Sequence, residues 1–120
     1  WARQSCLDAL VDAGAVKRVA ERGGELAGYL IATLLPPRAE LQNIATAPEQ
    51  QRCGVAGLLL DDLIETCRAR GVTDLGLEVR ASNAAAQALY RTRGFRLTGL
   101  RRGYYHAPEE DGILMGLRIG

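Results

Sequence analysis

Residues 40 to 80 constrain the fold more than any other part of this chain, because they read as strand, amphipathic helix and strand in immediate succession. Glu40 to Ala47 has strand character. Val55, Leu58, Leu59, Leu63, Ile64 and Cys67 then recur at helical spacing, with Asp61, Asp62, Glu65 and Arg68 on the other side. That pattern predicts a helix from Val55 to Arg70 with one face in a core, stopped by Gly71. Asp74 to Arg80 follows as a strand in which Leu75, Leu77 and Val79 alternate with Gly76, Glu78 and Arg80. Such a unit predicts two parallel strands joined by a right-handed crossover.

Around this unit the chain alternates further. Residues 1 to 13 have helical character, with Ser5 as a cap before Leu7, Leu10 and Val11 and Gly14 as the stop. Val16 to Glu21 and Leu26 to Leu35 read as strands joined by the turn Arg22-Gly23-Gly24. Pro36-Pro37 breaks the pattern before the strand at Glu40. A second helix is predicted from Asn83 to about Arg93, capped by Asn83 or Ser82 and ended by Gly94. Phe95 to Arg101 and Ile113 to Ile119 are expected to be a final strand pair, joined by a polar, aromatic loop from Arg102 to Gly112. No repeat or linker divides the chain, so residues 1–120 are expected to form one α/β domain (α+β by some schemes), a mixed sheet with helices on both faces.

Composition excludes several function classes. Fifteen basic residues against fourteen acidic ones leave a net charge of +1, which argues against bulk nucleic-acid or membrane-surface binding. No apolar run reaches the roughly 20 residues of a membrane span, and no signal-peptide pattern opens the chain. Cys6, Cys53 and Cys67 are odd in number and lack metal-ligand spacing, which reads as reduced thiols of a cytoplasmic protein. His106 is the single histidine, in a loop, so no metal site is expected.

Gln51-Arg52-Cys53-Gly54-Val55-Ala56 lies where the first strand of the unit turns into the helix. The first N–H groups of a helix lack intrahelical partners and its dipole favours negative charge, so this turn suits a phosphate or pyrophosphate. A purely structural glycine turn explains it as well. Glu78 is a carboxylate in an apolar strand, where partial burial would suit a general base; a salt bridge to Arg80 or to a helix residue is the plainer account. Tyr90 on the second helix could protonate a leaving group or could simply pack in the core. Asn83 serves as a cap, with or without a ligand contact. Tyr104 and Tyr105, after Arg101 and Arg102, could rim a substrate pocket.

Taken together, these residues resemble one family. Gln51-Arg52-Cys53-Gly54-Val55-Ala56 is similar to the pyrophosphate loop of the GNAT superfamily of N-acetyltransferases, whose pattern is Gln/Arg-x-x-Gly-x-Gly/Ala. Leu77 to Ala86, Ala88-Leu89-Tyr90, Gly94-Phe95 and Arg101-Arg102-Gly103-Tyr104-Tyr105 resemble its RimI-type members, the ribosomal-protein alanine N-acetyltransferases, as does the strand Leu41 to Thr46. The likeness is good from about Glu40 to Ile119 and loose over residues 1 to 35.

The resemblance implies a mostly antiparallel sheet with a central, splayed parallel pair. It implies acetyl-CoA as cosubstrate, without a metal, paired with Ile44, Ala45 and Thr46 and held at its pyrophosphate by Gln51, Arg52, Cys53, Gly54, Val55, Ala56 and Gly57. Glu78 would be the general base acting through water, Tyr90 the acid on the departing thiolate, and a backbone N–H of the cofactor strand the oxyanion donor. Asn83 would help hold the cofactor, and Tyr104 and Tyr105 would shape the peptide groove. The implied substrate is the N-terminal alanine of a small-subunit ribosomal protein, modified by a cytoplasmic monomer or weak homodimer with no direct nucleic-acid or membrane partner. A small amine or a lysine as acceptor, or a weakly active CoA-binding interaction module, are the other readings. Cys53 stands where a basic residue is common in the family, and Ala56 replaces a second glycine, which the looser pattern permits. The chain begins at Trp1, so it is expected to be processed or part of something longer, and to lack the N-terminal strand and helix usual in the family.

Overall fold

Glycine turns and a proline pair fold the first half of the chain into a meander. The computed structural model describes residues 9–10, 14–47, 54–106 and 109–119. In it β1 (Ala9–Leu10), β2 (Ala15–Arg22), β3 (Glu25–Leu35) and β4 (Arg38–Thr46) pair antiparallel in sequence order. Gly23 and Gly24 both take positive φ, 62° and 83°, which a β-carbon would strain, and they close the β2–β3 hairpin with Arg22 opposite Glu25. Pro36 and Pro37, which cannot donate to a ladder, make the next turn between Leu35 and Arg38.

The second half follows as α1 (Val55–Ala69), β5 (Asp74–Arg80), α2 (Ala84–Thr92), β6 (Arg96–His106) and β7 (Glu109–Arg118). The sheet order is β1-β2-β3-β4-β5-β7-β6, and among the described residues β4 and β5 are the one parallel pair. The mixed sheet with a parallel pair is as the residue pattern predicts, and its mostly antiparallel order with that pair at the centre is as the family resemblance implies. Helix α1 joins β4 to β5 as expected of the crossover unit.

Apolar spacing explains how α1 sits. Leu59, Leu60, Leu63 and Cys67 are fully buried in one core with Leu30, Ala32, Leu75 and Met115. Each leucine buried there contributes about 1.5–3 kcal/mol. Gly28 on β3 has no side chain to hold the helix off: a β-carbon there would lie 2.9 Å from Val55 and 3.3 Å from Leu59. The Arg18 side chain of β2 donates to Asp62 at 2.7 Å and to Thr66 at 3.0 Å, which fixes the rotation of α1 over the sheet.

Burial also governs the Cys67 thiol, which is pushed up to about 11 from a usual 9.0, chiefly by loss of water and slightly offset by Arg70. A thiol whose pKa rises on folding keeps more proton in the native state above pH 9. Its stabilising contribution is thus complete below about pH 9 and is lost as pH rises toward 11. The urea midpoint is expected to fall between pH 8 and pH 10.5, and to fall less in Cys67→Ala; equal falls would dissociate the loss from this thiol.

Two expectations need correction. Ala9–Leu10, predicted as helix, are a strand paired with Lys17 and Val16; Ser5, Leu7 and Val11 lie outside the described residues. Apolar spacing over so short a segment does not separate helix from strand. Of the predicted loop from Arg102 to Gly112, residues 102–106 and 109–112 instead extend two strands: Tyr105 pairs with Glu110 and His106 with Glu109. Two extra β6 residues are absorbed between Arg101 and Tyr105, where Gly103 takes φ 59° and its N–H donates to the Asp111 carboxylate at 2.9 Å.

Candidate active site

The central parallel pair opens because its ladder is short. β4 and β5 pair only at Arg38–Asp74, Ala39–Leu75 and Glu40–Gly76. Immediately beyond, Gln42 is an extra residue in β4, since Ile31 faces Asn43 while Ala32 faces Leu41. A bulge bends its strand and re-aims the backbone, and here it falls where β4 leaves β5. The β5-facing backbone of β4 from Leu41 onward is thereby freed from the ladder. A cleft of about 230 Å³ fills the opening, lined by β4 (Leu41 to Ile44), β5 (Leu77 to Arg80), Asn83, Tyr90 and Tyr105.

Of the predicted site residues, this cleft brings together Ile44, Glu78, Asn83, Tyr90 and Tyr105. Glu78 stands on β5 because strand alternation sends Leu77 and Val79 into the core and turns Glu78 to the opposite side. Its Oε2 is buried with no hydrogen-bond partner among the described residues. Its Oε1 lies 3.7 Å from the Arg101 guanidinium of β6. The salt bridge to Arg80 considered for it does not form, because Arg80 pairs with Glu110 at 3.1 Å. A buried carboxylate oxygen without a partner is costly; this one lies against Gly112 of β7, where a β-carbon would come within 2.7 Å of it.

Tyr90 is carried by α2, whose start is fixed by Asn83: the Asn83 side-chain oxygen accepts from the Ala86 N–H at 3.1 Å. Removing that cap in Asn83→Ala is expected to cost about 1 kcal/mol, read as a lowered urea midpoint. Tyr90 is 5% exposed and packs against Phe95 with ring centroids 5.6 Å apart. Burial, and next the Tyr105 phenol, push its pKa above the usual 10.0, so the hydroxyl holds its proton at neutral pH. Tyr105 is also pushed up, first by burial and then by the Glu78 carboxylate. Tyr104 lies outside the cleft, exposed and edge-on to Tyr105 at 5.1 Å, with the Arg101 guanidinium 5.2 Å from its ring centre.

The anion end of the predicted site is described in part. Gln51, Arg52 and Cys53 lie outside the described residues. Gly54 is the N-cap of α1 with φ 79°, and a β-carbon there would meet nothing, so its backbone conformation rather than crowding calls for glycine. Among the described residues no side chain caps this end and no acidic residue sits in the first turn; the first intrahelical bond is Leu58 N–H to Gly54 C=O at 3.0 Å. The N–H groups of Val55, Ala56 and Gly57 precede it. Behind them the Arg93 guanidinium, held by Asp61 at 3.1 Å, fills the space beside Gly57. An uncapped helix start of this kind, beside a free strand edge, fits an extended ligand with an anionic group.

Residues 4–95 match the model of the acetyltransferase (GNAT) family. The chain belongs to the GNAT family. Among GNAT relatives, it is 45% identical over 100 residues to the [ribosomal protein bS18]-alanine N-acetyltransferase of Escherichia coli K12, covering 82% of this chain and 68% of that one. The Salmonella typhimurium enzyme of the same name is 46% identical over 96 residues, 78% of this chain and 65% of that one. The chain thus spans about two thirds of their length. The crystal structure of the E. coli ribosomal-protein-S18-alanine N-acetyltransferase superposes with a TM-score of 0.86 at 40% identity, over 91% of this chain and 72% of the other. A nourseothricin acetyltransferase superposes at 0.84 with 31% identity, over 93% and 70%.

Sequence reasoning missed Arg101 as the partner of Glu78, and Glu110 altogether. Glu110 accepts from the Ser82 N–H at 2.9 Å, the Ser82 hydroxyl at 3.1 Å and Arg80 at 3.1 Å. The Ser82 N–H and the bonds to the Ser82 hydroxyl and Arg80 hold its carboxyl below the usual range, against a smaller opposing effect of burial. The alternation that marks β7 was hidden by its polar start, Glu109-Glu110-Asp111-Gly112. Among the described residues no three His, Cys, Asp or Glu side chains gather as metal ligands would, and no helix is long and apolar enough to cross a membrane.

Proposed function

We propose that this chain transfers an acetyl group from acetyl-CoA to the N-terminal α-amine of a protein, as the names of its E. coli and Salmonella relatives state for ribosomal protein bS18. The observation that carries the reading is that Glu78, a carboxylate with one oxygen lacking a partner among the described residues, lines the same cleft as a protonated Tyr90. We take residues 1–120 as one acetyltransferase domain working in the cytoplasm on the ribosomal protein itself.

Acetyl-CoA supplies an acetyl group activated as a thioester. The free backbone edge at Ile44, Ala45 and Thr46 would pair with its pantetheine arm, the uncapped start of α1 at Gly54 to Gly57 would take its pyrophosphate, and Gln51, Arg52 and Cys53 would complete that end. Asn83 would add a contact beyond its cap. The acceptor arrives mostly as an ammonium, because an α-amine has a pKa of about 8. Glu78 takes one proton from it, and the neutral amine then forms the new C–N bond as the C–S bond breaks. Tyr90 gives its proton to the departing sulfur and is restored by the second proton, which the new amide nitrogen releases; the proton on Glu78 passes to solvent. A β4 backbone N–H beside the Gln42 bulge would steady charge building on the carbonyl oxygen. Tyr105, with Tyr104 at its rim, forms the acceptor wall.

The test is initial-rate acetylation of an Ala-initiated basic peptide against a polyamine and nourseothricin. Preference for the peptide supports the reading. Preference for a small amine would favour the second one, which the likeness to a nourseothricin acetyltransferase motivates. Acetyl-CoA binding by calorimetry without turnover on any amine would point to an interaction module.

A further inference from the structure

We infer that Glu110 is a positioning residue for the acyl transfer, one carboxylate that sets the acceptor wall and the acid-bearing helix together; the inference rests on the function proposed above. Glu110 enters from β7 with its side chain 15% exposed and reaches two structures at once. Toward α2 it binds both the N–H and the hydroxyl of Ser82, the residue just before the Asn83 cap. The same turn is held from within α2 by Gln87, whose amide donates to the Arg80 carbonyl at 3.1 Å and the Ala81 carbonyl at 3.0 Å. Toward the acceptor wall Glu110 holds Arg80, whose guanidinium lies 4.2 Å from the centre of the Tyr105 ring. Tyr105 and Tyr90 face the same cleft from these two sides.

Arg80 also touches both sides, with its guanidinium over Tyr105 and its carbonyl accepting from Asn83 and Gln87, and Glu110 holds that arginine in place. Glu110 pairs with Tyr105 across the β6–β7 ladder, so its own backbone is registered to the wall it steadies. The carboxylate accepts three hydrogen bonds, of which two go to the α2 turn and one to Arg80. A neutral amide of the same shape cannot repeat this: its NH₂ would face donors on Ser82 or on Arg80. The site depends on geometry, since small misplacements of reacting groups cost rate steeply.

The experiment compares the parent chain with Glu110→Gln and Ser82→Ala. It uses initial rates with acetyl-CoA and an Ala-initiated peptide, and ¹³C ring signals of the four tyrosines. Glu110→Gln is expected to lower kcat about tenfold to a hundredfold, with KM for acetyl-CoA within about twofold. In a Tyr90→Phe background the same substitution is expected to cost less, because the acid it positions is already gone and only the acceptor wall is left to disturb. Its ring signals of Tyr90 and Tyr105 should both move while that of Tyr29, bonded to Asn43, stays. Ser82→Ala should move Tyr90 alone. A kcat within twofold of the parent, an undiminished loss in the Tyr90→Phe background, or movement of neither or only one ring in Glu110→Gln would overturn the inference. If the parent acetylates no amine, the proposed function fails, and the ring signals still decide whether Glu110 couples the two sides.

Discussion

Glu78→Gln is expected to lower kcat by about two to three orders of magnitude while leaving acetyl-CoA affinity within about twofold. The substitution keeps the shape of the side chain and removes the carboxylate that would take the proton. The acceptor still enters as an ammonium and must now lose its proton to water alone. The cofactor contacts proposed for β4 and α1 do not involve Glu78, so the loss belongs to turnover and not to binding. The fold should hold, because Oε2 has no partner among the described residues to lose and the Arg101 contact is long, at 3.7 Å. An unchanged thermal transition alongside the fallen kcat checks that separation. Wild-type turnover in this variant would remove Glu78 from the chemistry.

Tyr90→Phe is expected to lower kcat by about tenfold to a hundredfold, less than the loss at Glu78. The reason lies in the leaving group. A thiol has a pKa of about 8.5, so a thiolate departs tolerably without full protonation. The acid therefore helps rather than enables. Because burial holds the phenol above its usual 10.0, the wild-type acid stays protonated through neutral pH, and its kcat should not fall between pH 7 and 9 for want of that proton. The substitution removes only the hydroxyl and leaves the ring to pack against Phe95, so stability should move little. Rates in Tyr90→Phe equal to wild type across that range would show that the sulfur leaves unaided or takes its proton elsewhere, with Tyr105 as the other phenol that lines the cleft.

Legibility in the sequence followed regularity in the structure. Helix α1 and strand β5 were readable because each runs uninterrupted and buries one side. The positions of Glu78, Asn83 and Tyr90 were readable with them, since a strand residue turned from the core, a cap and a helix tyrosine follow simple periods; the chemical roles proposed for them were singled out over the plainer readings only by the resemblance to the family. What was lost lies where periods break. The Gln42 bulge that opens β4 from β5 leaves no alternation to find. The bulge at Gly103 hid the far halves of β6 and β7 behind polar residues, and with them the roles of Glu110 and Arg101. Arg80 looked like the partner of Glu78 because the two share a face two residues apart. Along a strand that separation is about 6.6 Å, and cross-strand neighbours reach both groups more easily.

Where the acetyl group lands decides the central claim. The measurement is mass-spectrometric localisation on an Ala-initiated peptide that also carries an internal lysine, with acetyl-CoA as donor, for the parent chain and for Glu78→Gln. The account predicts acetylation of the α-amine alone by the parent and its near loss in Glu78→Gln. Acetyl found only on the lysine, or α-amine acetylation undiminished in Glu78→Gln, would contradict it.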